Sequence, residues 1–147
     1  MDKKKLTILL AYAIVMTGLL LLTFGAEWNP SNYSYSLNNG TMVIEKGLSQ
    51  ELEEVSVGDR MDDVLRYTLA VSAEQQQWRI DVTVIGILLP FLLLLFIPNL
   101  RPLKKHLSTR WYVTIVLAIL VVYAAYSIPN HISNINEVHE QVSRLLE

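Results

Sequence analysis

Three stretches of the chain carry no charged side chain: Leu6–Phe24, Val82–Leu100 and Trp111–Asn130, of 19, 19 and 20 residues. A helix crossing a bilayer needs about 20 predominantly apolar residues. Clustering carries the signal, because the overall hydrophobic content of 52% sits close to the soluble average of about 45–50%. An ordinary soluble globule is excluded. The expected fold class is an all-α integral membrane protein with three transmembrane helices and a small α+β extracytoplasmic module.

Charge distribution suggests an orientation. Residues 1–5 carry +2, 25–81 carry −6, 101–110 carry +4 and 129–147 carry −2. Short Lys/Arg-rich segments beside spans stay cytoplasmic. The expected order is therefore a cytoplasmic N-terminus (1–5), a span (6–24) and an extracytoplasmic loop (25–81). A span (82–100), a cytoplasmic loop (101–110), a span (111–128) and an extracytoplasmic tail (129–147) follow. The cations of 101–110 set topology and meet anionic lipid, with no case for nucleic acid. The 19-residue first run exceeds a signal-peptide core of about 7–15 residues, so an uncleaved anchor is expected.

Within 25–81 the pattern changes twice. Tyr33–Leu37 alternates, Asn39-Gly40 is a strong hairpin turn, and Thr41–Glu45 returns, predicting a hairpin at 33–45. A two-residue loop pairs Leu37 with Met42, Tyr35 with Ile44 and Tyr33 with Lys46. An isolated hairpin is marginal in water, so its apolar face needs a cover. Gln50–Glu54 reads as one or two helical turns. Asp59 then reads as the N-cap of a helix over 59–77 with Asp62 and Asp63 in its first turn. No Gly or Pro separates Asp59 from Gly86, leaving this helix free to run on into the second apolar run. The acids of 51–63 lack calcium-loop spacing and read as a solvated face. Asn32-Tyr33-Ser34 and Asn39-Gly40-Thr41 match the glycosylation acceptor pattern, a weak signal in an Asn/Ser-rich stretch.

Gly86 and Pro90 mark a kink in the second run, and Asp81 reads as an interfacial residue rather than a proton relay. Pro98 and Pro102 bracket a tight turn. Trp111, Tyr112, Tyr123 and Tyr126 fit aromatic belts at the two interfaces. Pro129 is expected to end the third helix. Beyond it, Ile132, Ile135, Val138, Val142 and Leu145 form a narrow apolar seam close to coiled-coil spacing. The seam is expected to dock on helix 59–77, along Met61, Val64, Leu65, Thr68 and Val71, with Tyr35 and Ile44 covering one side.

No catalytic constellation is present in the sequence. His131 and His139 lie two helical turns apart without diagnostic metal spacing, and no nucleophile elbow, His-Glu-x-x-His or phosphate loop occurs. With no cysteine, thiol chemistry and disulfides are excluded, and no cofactor is expected. These features point to a non-enzymatic, multi-pass protein, for which a bacterial cell envelope is a fitting setting. It would serve as an accessory, regulatory or immunity-type subunit. Besides the lipid bilayer, its expected partner is another membrane or extracytoplasmic protein, or itself as a homo-oligomer. Candidate interface residues are Tyr33, Tyr35, Ile44, Ile135, Val138, Val142 and Leu145. The alternative is a pore or transporter subunit shaped by Gly86 and Pro90.

Overall fold

The structure, a computed structural model, describes residues 3–47, 50–97, 99, 101 and 105–147. Its elements are α1 (Lys3–Leu20, continued by a π-helical turn Leu21–Gly25), β1 (Tyr33–Asn38), β2 (Thr41–Lys46), β3 (Gln50–Ser56), α2 (Met61–Leu93) and α3 (Thr109–Leu146). The strands form an antiparallel sheet in the order β1-β2-β3.

The expectation of an all-α chain with three transmembrane helices is overturned. A three-stranded sheet and three helices are present, and among the described residues two helices are long and apolar enough to cross a membrane, Lys3–Gly25 and Thr109–Leu146. The second apolar run fails because its helix stops early. Only Val82–Leu93 of it lies in α2, about 18 Å of helix against a hydrocarbon core of about 30 Å. Beyond Leu93 the chain tightens into short-range turns, with Leu95 N–H donating to the Leu92 carbonyl and Phe96 N–H to that of Leu93. The expected turn between Pro98 and Pro102 falls largely on residues outside those described, both prolines among them.

The hairpin pairs Tyr33 with Lys46, Tyr35 with Ile44 and Leu37 with Met42, the register that the side-chain alternation demands. Asn39 (φ 48°) and Gly40 (φ 84°) both adopt positive φ, as a two-residue turn matching strand twist requires. Residues 50–56 differ from expectation: they are a strand, not helical turns. β2 buries Met42 and Ile44 completely and needs a ladder on both sides, which β3 supplies by pairing Val55 with Met42. As an edge strand β3 tolerates its glutamates, so local helix propensity yields to pairing.

α2 and α3 form one long antiparallel pair. Pro129 lies inside α3 rather than ending it. It is exposed, as is Ala125, whose carbonyl loses its helical donor, so the break in the ladder faces away from α2. The helix start also shifts: Arg60, not Asp59, occupies the N-cap, and its guanidinium donates to the Leu145 carbonyl at 2.8 Å. At this end one core joins Tyr33, Met42, Ile44 and Val55 of the sheet to Val64, Tyr67, Ala70 and Val71 of α2 and Val138, Val142 and Leu145 of α3, with Tyr35 packed against it. Of the predicted α2 stripe, Val64 and Val71 face this core, while Met61 and Leu65 are exposed. Tyr67 and Ala70 take their place.

Candidate functional site

Where the helices leave the sheet, polar side chains dominate their contacts. Pro90 cannot donate to the Gly86 carbonyl four residues earlier. The Tyr12 hydroxyl of α1 donates to that carbonyl instead, at 3.1 Å. The absence of a side chain at Gly86 admits Met16, whose methyl would lie 2.9 Å from an added Cβ. Gly86 and Pro90 thus form the seat for α1. Near the end of α2, the Phe91 carbonyl accepts from the Tyr112 hydroxyl at 3.0 Å. Freed backbone acceptors in an apolar zone require such donors.

The most concentrated group of polar side chains surrounds Asp81. Its position at the edge of an apolar run suggested an interfacial residue; it is instead 4% exposed, enclosed between α2 and α3. One carboxylate oxygen accepts from Gln77 Nε2 at 3.2 Å and from the Ser127 hydroxyl at 3.0 Å. The Tyr123 hydroxyl donates to the same oxygen, and His131 Nε2 contacts the other. Tyr123, Ser127 and His131 recur every four residues on α3, so one helical face presents all three. Three donors converge from α3 on a carboxylate of α2, cross-bracing the helices around Pro129. His131 Nδ1 is buried without a hydrogen-bond partner among the described groups.

Further along the same face of α2, Glu74 is fully buried. It accepts from Ser31 N–H at 2.6 Å, and its other oxygen lies 2.5 Å from the Ser31 hydroxyl. Asn29 is held beside it by donating to the Tyr33 carbonyl at 2.7 Å. The segment between α1 and β1 is therefore pinned to α2. Trp78 completes the junction: its indole N–H donates to Thr23 at 3.0 Å, its ring packs edge-on against Trp28, and it lies 6.4 Å from the His131 ring. Glu74, Gln77 and Asp81, spaced three and four apart, form a buried polar stripe down α2.

Chemically, this arrangement is a brace. Ser127 and His131 both bond to the carboxylate, so the hydroxyl–imidazole–carboxylate order that activates a serine is not formed. Among the described residues no group of three His, Cys, Asp or Glu side chains is placed to hold a metal. His139, two helical turns beyond His131, packs edge-on against Tyr33 at 5.5 Å.

The interface residues singled out in the sequence are brought together, within the chain. Tyr33, Ile44, Val138, Val142 and Leu145 are buried in the common core, while Tyr35 and Ile135 are partly covered. Tyr67 anchors this core by donating to the Ser34 carbonyl at 2.9 Å. Burial, with Tyr33 and Glu45 nearby, holds its hydroxyl well above the ordinary tyrosine range. Comparison with protein-family models, curated proteins and solved structures finds no match.

Proposed function

We propose that the chain is a non-enzymatic membrane protein whose sheet-bearing end acts by contact with another protein. The observation that carries this reading is an apolar ridge on α2. Met61, Leu65 and Leu69, one turn apart, are 58%, 49% and 66% exposed on the face turned away from the sheet and α3. Covering each such side chain stabilises a contact by about 1.5–3 kcal/mol, and contiguous exposed apolar surface outside a membrane marks an interaction site. The ridge replaces the residues first expected there, which the internal core has absorbed.

Orientation follows from charge. Lys3, Lys4 and Lys5 begin α1, and Arg101, Lys105 and Arg110 lie around the start of α3. In the proposed topology this basic end is cytoplasmic and the acidic sheet end, with the C-terminus, is extracytoplasmic. Between the two ends α2 packs on α1 and α3.

A photocrosslinking side chain placed at Leu65 or Leu69 of the full chain in cells tests the reading. An adduct of one defined mass is expected at both positions and not at Ser36 on the sheet. Leu65→Asp should abolish the Leu69 adduct while the fold is retained. Equal labelling at all positions, or none at the ridge, refutes it. The buried stripe of Glu74 and Asp81 with His131 favours a second reading, a subunit of a proton- or ion-conducting assembly, because ionisable groups at membrane depth commonly mark ion paths. Flux in liposomes that is lost in Asp81→Asn would support it.

A further inference from the structure

An apolar cleft of about 380 Å³ opens between α2 and α3 near the basic end, lined by Ile87, Phe91, Leu107, Tyr112, Ile115 and Ile119 among others. Ile119 lies seven positions beyond Tyr112 on α3, about 10 Å of helix. That is about two-thirds of one leaflet of a 30 Å hydrocarbon core. Two observations say what would fill it. The first is the cation at its mouth: Arg101 places its guanidinium 5.6 Å from the centre of the Tyr112 ring and donates to Thr109 at 2.9 Å. Tyr112 lines the cleft, so the guanidinium is fixed where the apolar wall ends. The second is charge: Lys105 and Arg110 are exposed at the same end, and no acidic residue occurs between Asp81 and Glu137. The matching groove on the α1 side is bordered by one cation, Lys5.

We propose that this cleft binds an anionic phospholipid, one acyl chain lying along Ile115 and Ile119 and the phosphate meeting Arg101, with Arg110 and Lys105 adding charge. Guanidinium geometry suits phosphate oxygens, and basic pockets between helices on the cytoplasmic side are suited to acidic headgroups. The site rests on the reading that α1 and α3 cross a bilayer.

The test uses the full chain in neutral detergent, titrated with phosphatidylglycerol or phosphatidylcholine of identical acyl chains. Brominated forms of each report contact by quenching exposed Trp111, whose share is the difference from Trp111→Phe. Phosphatidylglycerol should half-saturate at a concentration about tenfold lower than phosphatidylcholine, the scale of one charge-assisted hydrogen bond. Arg101→Ala should bring the two lipids level, and Ile115→Trp should weaken both, with helix content unchanged. Equal response to both lipids, or an unaltered preference in Arg101→Ala, overturns the proposal. So does a second copy seated in the cleft, seen as Ile115→Cys disulfide dimers insensitive to either lipid. Release of the native chain from membranes by alkaline carbonate would instead defeat the bilayer reading itself; retention without lipid preference defeats the lipid site alone.

Discussion

Removing the Asp81 carboxylate should be costly, and removing its histidine partner as well should cost less than the two losses summed. In Asp81→Ala the Tyr123 and Ser127 hydroxyls, Gln77 Nε2 and His131 Nε2 lose a shared acceptor inside the α2–α3 interface. Each buried donor left unmade costs about 1–3 kcal/mol, and four groups lose the same carboxylate. These contributions overlap, so about 3–5 kcal/mol is expected in total. His131→Ala leaves Asp81 three donors and should cost about 1–3 kcal/mol. Asp81→Asn keeps an acceptor oxygen for the hydroxyls and should fall between wild type and Asp81→Ala. Replacing both residues by alanine removes the His131 nitrogen together with its acceptor and leaves Tyr123, Ser127 and Gln77 unpaired, so the double should cost less than the sum of the two single losses. Unfolding in mixed micelles of rising SDS fraction, followed by the fluorescence of Trp78 beside His131 in a Trp28→Phe, Trp111→Phe background, provides the readout. A coupling energy of about 1–3 kcal/mol between the sites is expected. Additivity within about 0.5 kcal/mol would refute the brace.

Three further outcomes follow from the same geometry. Tyr67→Phe should cost about 0.5–1.5 kcal/mol by deleting the bond to the Ser34 carbonyl. Because burial raises the folded-state pKa of Tyr67, its neutral form contributes stability that is intact below an unfolded value of about 10 and is lost as pH rises beyond it; that alkaline loss should shrink in Tyr67→Phe, monitored by near-ultraviolet circular dichroism. Leu145→Ala, at a position 1% exposed in the core, should destabilise the sheet end by about 2–5 kcal/mol, seen as faster hydrogen exchange in β2 and the last turns of α3. In intact cells, a membrane-impermeant maleimide should label Ser36→Cys and Ser143→Cys but not Ser108→Cys; labelling of Ser108→Cys alone would invert the proposed orientation.

The hairpin was legible in the sequence because its signals are local. Asn39-Gly40 fixes the turn, and alternation across it leaves one register that keeps the aromatic and aliphatic side chains on one face. β3 was illegible for the opposite reason. Its Gln, Glu and Leu residues favour helix locally, and among its described side chains Val55 alone is buried in the core; only the demand of fully buried Met42 and Ile44 for a second neighbour makes it a strand. The second apolar run misled through its length, since absence of charge extends to Leu100 while the helix stops at Leu93.

The polar brace was missed through a single step, the reading of Pro129 as a helix terminator. Ending the helix there separates Tyr123 and Ser127 from His131, and Asp81 is left as a solitary acid at a boundary. Carried through Pro129, the same sequence puts Tyr123, Ser127 and His131 on one face at intervals of four, three polar groups on the side that also bears Val116 and Val138. A face of that kind in a long apolar helix needs an acceptor opposite it, and Asp81 is the acid whose position on α2 answers the demand. Proline removes one donor and crowds one carbonyl; on an exposed face, with the opposite face tied by Asp81 to the neighbouring helix, that local cost is not enough to break α3. The brace and the uninterrupted helix are therefore one structural fact. Disrupting Asp81 should consequently be felt first at Pro129, as increased hydrogen exchange over residues 126–133 ahead of any change in the sheet, whereas unchanged exchange over 126–133 would mean that the helix persists without the brace.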